Sequence, residues 1–235
     1  MSLREIIDFV KSNRWLLNIA AVVYNIIHLS YPLRQVLSGR LQCSGVFFKN
    51  VSFQIKGKNI KIEIGELTRL SDCCITIKGS ECCAIIKGGG RLSNVHLYIQ
   101  DDKSAIKIGR KFTIESGHIA STEGELIDIG DDCMFSNDIE IRNGDSHAIV
   151  DMESLTRTNN ARSVKIGNHV WLTAHCRVLK GSVIPDDCII GNSAIVSGQL
   201  KTSHAIYGGS PLRLLQENRT WDRDRYKTTF EINKQ

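Results

Sequence analysis

Between residues 166 and 196 the aliphatic side chains fall on every sixth position: Ile166, Leu172, Val178, Ile184, Ile190 and Val196. An amphipathic helix repeats every 3.6 residues and a half-buried strand every 2, so neither produces this run. A coil of three short strands does, because each face then sends one aliphatic side chain inward. Val170, Cys176, Ser182, Cys188 and Ala194 share a second phase of the repeat, which predicts small inward side chains there.

Upstream, β-branched runs alternate with glycine, asparagine and aspartate. Ile62-Glu63-Ile64-Gly65, Ile85-Ile86-Lys87-Gly88, Ile106-Lys107-Ile108-Gly109, Ile127-Asp128-Ile129-Gly130 and Val164-Lys165-Ile166-Gly167 read as equivalent points on successive coils. Their glycines stand 23, 21, 21 and 37 residues apart. Such periods mark stacked coils, each covering the apolar face of the last. The 37-residue interval is 16 longer than the one before it (37 − 21), so one coil must extrude a loop, placed at 142–163.

Before Gly39 the pattern is helical. Ile6, Ile7, Val10, Leu17, Ala20, Ala21, Tyr24 and Ile27 recur three and four apart, which predicts helix from Leu3 to about residue 30, broken near Asn13. Ser2-Leu3-Arg4-Glu5 has the form of a capping box, and Pro32 and Gly39 punctuate the end or a second short helix. The stretch from Leu16 to Leu33 is apolar, but Asn18, Asn25, His28, Ser30 and Pro32 argue against a transmembrane span. A buried or interface-lying helix fits better and leaves room for peripheral membrane association. No small-residue cleavage site marks a secretory signal.

The predicted architecture is all-β: a parallel β-helix over 41–201, an N-terminal helical segment at 1–40 and a short C-terminal tail within 202–235. Six or seven coils at ~4.8 Å each make a prism roughly 30 Å tall. An uncovered terminal coil exposes an edge, so the helical segment is expected to cap the lower end or to pack between subunits.

Composition adds little until positions are considered. The formal charge of +5 suits an anionic partner but is also an ordinary surface balance, and no lysine or arginine run points to nucleic acid. Of eight cysteines, Cys176 and Cys188 fall on the small inward phase. Cys73-Cys74 and Cys82-Cys83 lack Cys-x-x-Cys spacing and read as core or near-core thiols in a reducing compartment, hence a cytoplasmic protein. His169 and His175 are six apart, on different faces of one coil, so they read as outward corner residues rather than a metal pair.

From about Ile62 to Val196 the chain resembles the hexapeptide-repeat acyltransferases, and among them the bacterial capsule and lipopolysaccharide O-acetyltransferases. The resemblance, not the spacing, implies a left-handed coil, which departs from the usual crossover rule. It also implies an acetyl-CoA donor, a saccharide acceptor, a homotrimer with sites between subunits, and no metal.

The loop carries the resemblance furthest. Asp145-Ser146-His147 matches the Asp-x-His loop of that group, and Trp171 follows His147 by 24 residues, as the family pattern has it. The resemblance makes His147 the general base for the acceptor hydroxyl, a task suited to a group that is neutral near pH 7. Asp145 or Asp151 would hold its tautomer, and His118 is the next candidate base. Trp171 precedes an inward Leu172, so it should face outward, lining either the pantetheine channel or an interface. Gly191, Ser193 and Ala194 leave room for the pantetheine arm, and Lys201 stands where the family places a cation for the CoA phosphates. Gly209-Ser210-Pro211-Leu212-Arg213 resembles the family's Gly-x-Pro-Ala-Lys segment with leucine and arginine substituted, so Arg213 could pair a phosphate.

No serine or cysteine is placed to form an acyl-enzyme, so direct transfer is expected. Two other readings stay open: an acyltransferase for a small amino sugar, nucleotide sugar or amino acid, and a non-catalytic β-helix module for assembly or glycan binding.

Overall fold

The computed structural model describes residues 3–27 and 32–226; Ser2, His28 and Ser30 lie outside the described residues. The chain forms a left-handed parallel β-helix of about 7 turns. Each coil contributes one strand to each of three sheets. Coil 1 runs through Leu41–Cys43 on the first face, Phe47–Lys49 on the second and Ser52–Lys56 on the third. Coil 7 runs through Val183–Ile184, Ile189–Ile190 and Ile195–Val196.

The hexad governs packing as the sequence suggests. Ile166, Leu172, Val178, Ile184, Ile190 and Val196 are all 2% exposed or less, and Val170, Cys176, Ser182, Cys188 and Ala194 are wholly buried beside them. Burial pushes the Cys133 thiol up to about 12 and those of Cys73 and Cys188 up to about 11, so these thiols are inert apolar filling.

Coil 3 departs from the expected alignment by one residue. Ile62 pairs with Ala84 and Ile64 with Ile86, not Ile62 with Ile85. Alternation decides it: Ala84 and Ile86 are buried, Ile85 faces outward, and a one-residue slip would send Lys87 into the core.

At the corner before the second face, successive coils turn on Lys111, Asp132, His169, Asp187 and His204, each with φ between 51° and 59°. Asparagine, aspartate and histidine tolerate this left-handed region best. His169 N donates to Asp131 O at 2.8 Å and Asp187 N to Asn168 O at 3.0 Å, so each corner is tied to the coil below. His175 (φ 63°) turns another corner. The His169 and His175 rings bond Asp187 and Asp138 at 2.8 and 2.9 Å, on separate corners as expected.

The second face runs past the expected boundary at 201. Ala205–Gly208 adds an eighth parallel strand, and Arg213–Glu217 turns back antiparallel to it. The following arm descends the second face. Trp221 stacks on His169 at 4.2 Å and donates Nε1–H to His169 O at 2.8 Å. Lower down, Arg223 donates to Lys111 O, Thr113 Oγ1, Asp132 Oδ1 and Cys133 O at 2.9 to 3.1 Å.

At the other end the helix breaks at Asn13, giving Leu3–Ser12 and Arg14–Ile27, with a short Leu33–Leu37 helix between Pro32 and Gly39. Asn13 Oδ1 accepts from the N–H groups of Trp15 and Leu16, both at 3.2 Å, which caps the second helix. That helix lies on coil 1 through buried Leu17 and Ala21. Asn25, 2% exposed, donates to Val46 O at 3.0 Å and accepts from Phe48 N at 2.7 Å, as a neighbouring strand would. Asn18 Oδ1 accepts from Ser44 Oγ at 2.7 Å. Asn18 and Asn25, two of the polar residues that argued against a span, thus satisfy the open edge of the first coil. No helix among the described residues is long and apolar enough to cross a membrane.

Removing residues 1–38 uncovers Val46 O, Phe48 N and the apolar floor of coil 1 together. Size-exclusion chromatography is expected to show aggregate; a soluble product with normal turnover would show that the segment is no cap.

Candidate active site

The long coil opens where strand Ile139–Arg142 leaves the third face, before Val164–Ile166 enters the first. The insertion is a hairpin: Val150 pairs antiparallel with Arg157, and Thr158 N donates to Ile149 O at 2.8 Å. Buried Asn143 fixes its start, accepting from Thr122 N at 2.9 Å and donating to Ser121 Oγ at 3.1 Å. Arg157 grips the Glu123 carboxylate with two bonds of 3.0 and 2.6 Å. Asn159, 6% exposed, accepts from Ile149 N at 2.7 Å and donates to Asp145 Oδ2 at 2.9 Å and to His147 O at 2.7 Å.

His147 therefore has a tethered backbone and an exposed ring, and among the described residues neither ring nitrogen has a hydrogen-bond partner. The expectation that an aspartate of the same loop orients the ring is not met. Asp145 accepts instead from Asn159 and from Lys180 Nζ, which also donates to Asn159 O at 3.0 Å. Asp151 accepts from Glu153 N, Ser154 N and Ser154 Oγ at 3.1, 2.7 and 2.8 Å, closing the hairpin turn. Asp145 thus links Asn159 to Lys180, and Asp151 holds the backbone of the hairpin turn. The Lys180 ammonium holds the Asp145 carboxyl below its ordinary range, and the Arg157 guanidinium does the same for Glu123.

Beside the root of the hairpin a cavity of about 320 Å³ opens on the third face, with Gly144 and Ser146 on its rim and His118 and Arg142 in its wall. His118 is half-buried, and burial pushes its pKa down.

Trp171 sits on the second face, between Met134 below and Ile189 above. It points outward, as expected, but is not bare: Trp221 lies against it with ring centroids 6.1 Å apart. Among the described residues its buried indole N–H has no hydrogen-bond partner, a state native proteins rarely leave a donor in. The second and third faces meet at Gly191. A side chain there would crowd Tyr207 O at 3.2 Å. Ser193 is exposed on the same corner, with φ 59°. Ala194 differs from expectation: its side chain is wholly buried, and its N–H and carbonyl bond Gly191 O and Arg177 N at 3.2 and 3.0 Å. Its methyl group supports the corner from inside. Lys201 and Arg213 are exposed near the upper end, and neither forms an ion pair among the described residues.

No family model matches the sequence. Over 186 residues the chain is 32% identical to the polysialic acid O-acetyltransferase of Neisseria meningitidis, a match covering 74% of this chain and 80% of that protein. The chain belongs to the hexapeptide-repeat O-acetyltransferases. A polysialic acid O-acetyltransferase of Escherichia coli O1:K1 is also 32% identical, over 120 residues that cover 51% of this chain and 39% of that protein. Among solved structures, the polysialic acid O-acetyltransferase OatWY superposes with a TM-score of 0.70 at 27% identity, over 78% of this chain and 93% of that one. The acetyltransferase NeuO shares the fold, with a TM-score of 0.63 at 22% identity over 76% of this chain and 85% of that one.

In this O-acetyltransferase the sequence reading missed Trp221, Lys180, Asn159 and the His96–His118 pair. His96 and His118 are 22 residues apart (118 − 96), one coil period, so the repeat itself could have revealed that they stack. Trp221 carries no such signal, because the arm lies outside the repeat.

The anchoring carboxyls titrate below their ordinary values in the folded chain. Their contribution is therefore complete above about pH 4.5 and fades as the pH falls through the lowered values. At neutral pH, Glu123→Gln removes the charge that holds Arg157. Trypsin is expected to cut after Arg157 several times faster in that variant than in wild type. Equal cutting rates would mean that Glu123 does not hold the hairpin.

Proposed function

We propose that this enzyme moves an acetyl group from acetyl-CoA to a hydroxyl of an acidic capsule polysaccharide, with His147 as general base. Support comes from His147 itself, whose ring has no hydrogen-bond partner among the described residues and whose backbone is tethered in the loop where Gly144 and Ser146 line the third-face cavity. The relatives are named for polysialic acid, which supports an acidic acceptor.

His147 takes the proton of the acceptor hydroxyl as its oxygen attacks the thioester carbonyl. The tetrahedral adduct then expels CoA as thiolate, and the imidazolium returns the proton to that sulfur. Trp171 walls the donor site, and its uncommitted indole N–H is the candidate donor to the developing oxyanion. Gly191 and Ser193 leave a small corner for the pantetheine arm, and Lys201 and Arg213 face the CoA phosphates.

The hairpin leaves the corner between the third and first faces, whereas Trp171 stands on the second. A site that uses both residues takes them from neighbouring copies, which supports a closed homotrimer. The hairpin tip carries Met152 and Leu155, 83% and 75% exposed, as an apolar surface for that contact. Eight unpaired cysteines support a reducing, cytoplasmic setting.

His147→Ala is expected to lower turnover roughly 100- to 10,000-fold while leaving acetyl-CoA affinity unchanged. Trp171→Ala should weaken CoA binding as well as turnover. Retention of more than about a tenth of wild-type turnover by His147→Ala would remove the base assignment. A shared site makes a further prediction: mixing the two inactive variants within one oligomer restores one intact site and part of the turnover. Mixed oligomers as inactive as their parents would show that each chain holds a complete site.

A further inference from the structure

The third face of coils 2 to 5 is built from strands Cys74–Lys78, Val95–Gln100, Gly117–Ser121 and Ile139–Arg142. The pairing register places Cys74, His96, His118 and Glu140 in one outward column, and Thr76, Tyr98, Ala120 and Arg142 in the next. Outward side chains in such a stack lie one above another at the ~4.8 Å coil spacing. The His96 and His118 rings accordingly stand 5.1 Å apart, with Tyr98 at 5.7 and 6.2 Å from them. Ala120, between Tyr98 and Arg142, has no bulk to fill the second column. Its place is the floor of the cavity that reaches Gly144 and Ser146.

We propose that this cavity holds a carboxylate-bearing sugar residue of the acceptor chain, stacked on His96, Tyr98 and His118 and gripped by Arg142, beside the residue whose hydroxyl His147 deprotonates. The inference rests on the reading of His147 as the base. Three rings around a hollow give the C–H face of a pyranose the negative aromatic surfaces it packs against. Arg142 spends only Nε on Glu140, which Arg177 also neutralises, and its two Nη groups have no partner among the described residues. That free edge of the guanidinium matches a carboxylate. Lys78 Nζ lies 5.3 Å from the Tyr98 ring and adds positive charge at the lower rim. The acidic groups of the cavity are already engaged: Glu123 by Arg157, and Asp101 by the Glu123 N–H at 3.1 Å.

The two imidazoles suit a saccharide as they stand. Burial, then the neighbouring His96 and Arg142, lowers the His118 pKa, and burial followed by Lys78 lowers that of His96. Both rings therefore stack without mutual repulsion at neutral pH. Among the described residues the two His118 ring nitrogens have no hydrogen-bond partner, which leaves one donor and one acceptor for sugar hydroxyls. His96 Nε2 is held at 2.9 Å by Thr76 Oγ1.

The test is equilibrium binding of a sialic acid oligomer to the whole protein, without CoA, beside a neutral maltose oligomer of equal length. Wild type and His147→Ala are expected to bind the acidic oligomer alike and the neutral one weakly. Tyr98→Ala and Arg142→Gln should each weaken acidic binding roughly tenfold or more, as loss of a ring contact or a charged hydrogen bond implies, with CoA affinity unchanged. Tyr98→Phe keeps the ring and should bind like wild type, and Arg142→Gln, at the surface, tests the site even where Tyr98→Ala fails to fold. Undiminished acidic binding in Arg142→Gln, or equal wild-type affinity for both oligomers, would overturn the proposal. Turnover of His147→Ala is scored separately: if it persists while Tyr98→Ala and Arg142→Gln lose binding, the base assignment falls and this subsite stands.

Discussion

Each coil has to turn its corners in register with the coil below, and the left-handed residues at those corners are the constraint on which the rest of the molecule depends. Such a backbone costs an ordinary residue about 1–2 kcal/mol. Here it is offset by a second ladder running up the corner beside the backbone one. Asp131 Oδ1 accepts from Arg110 N at 2.8 Å, Asn168 Oδ1 from Asp131 N at 2.9 Å, and Asp186 Oδ1 from Asn168 N at 2.8 Å. Aspartate and asparagine thus serve twice, by tolerating or neighbouring the tight turn and by bonding the next coil.

That constraint also decides where chemistry sits. A strand locked in register to two neighbours cannot absorb extra residues, so the insertion leaves at a corner, between Arg142 and Val164. That corner has side-chain bonds of its own: Ser80 N donates to Asp102 Oδ1 at 2.7 Å and Thr122 N to Asn143 Oδ1 at 2.9 Å, so Asn143 ties the start of the loop to the coil below. In-register stacking also turns a chance outward residue into a column. His96 and His118 meet only because one coil separates them, and Ala120 becomes a hollow only because Tyr98 and Arg142 flank it.

Much of the fold could be read from period alone, because inward positions answer to a single requirement, volume at a fixed spacing. Where that requirement is weak, reading fails. Ile85 and Ile86 both suit an inward position by type, so glycine spacing chose the wrong one, and only the register with Ile62 and Ile64 separates them. The hairpin was visible as surplus length, and His147 through its neighbours Asp145 and Trp171. The partners of Asp145 were not visible, since Lys180 lies 35 residues downstream and is brought beneath the hairpin by the coil that follows. Ala194 shows the opposite error: proximity to Gly191 suggested a shared role, yet the hexad phase already pointed its side chain inward.

The returning C-terminal arm changes how this stack can come apart. In a solenoid each coil touches only its neighbours, so a free end frays one step at a time. Here hydrogen bonds from Trp221 and Arg223 reach back across 52 to 112 residues, to the sixth coil and to carbonyls of the fourth and fifth. Peeling away the last coil therefore strains contacts three levels down, and the upper half of the prism opens as one cooperative block rather than unzipping coil by coil.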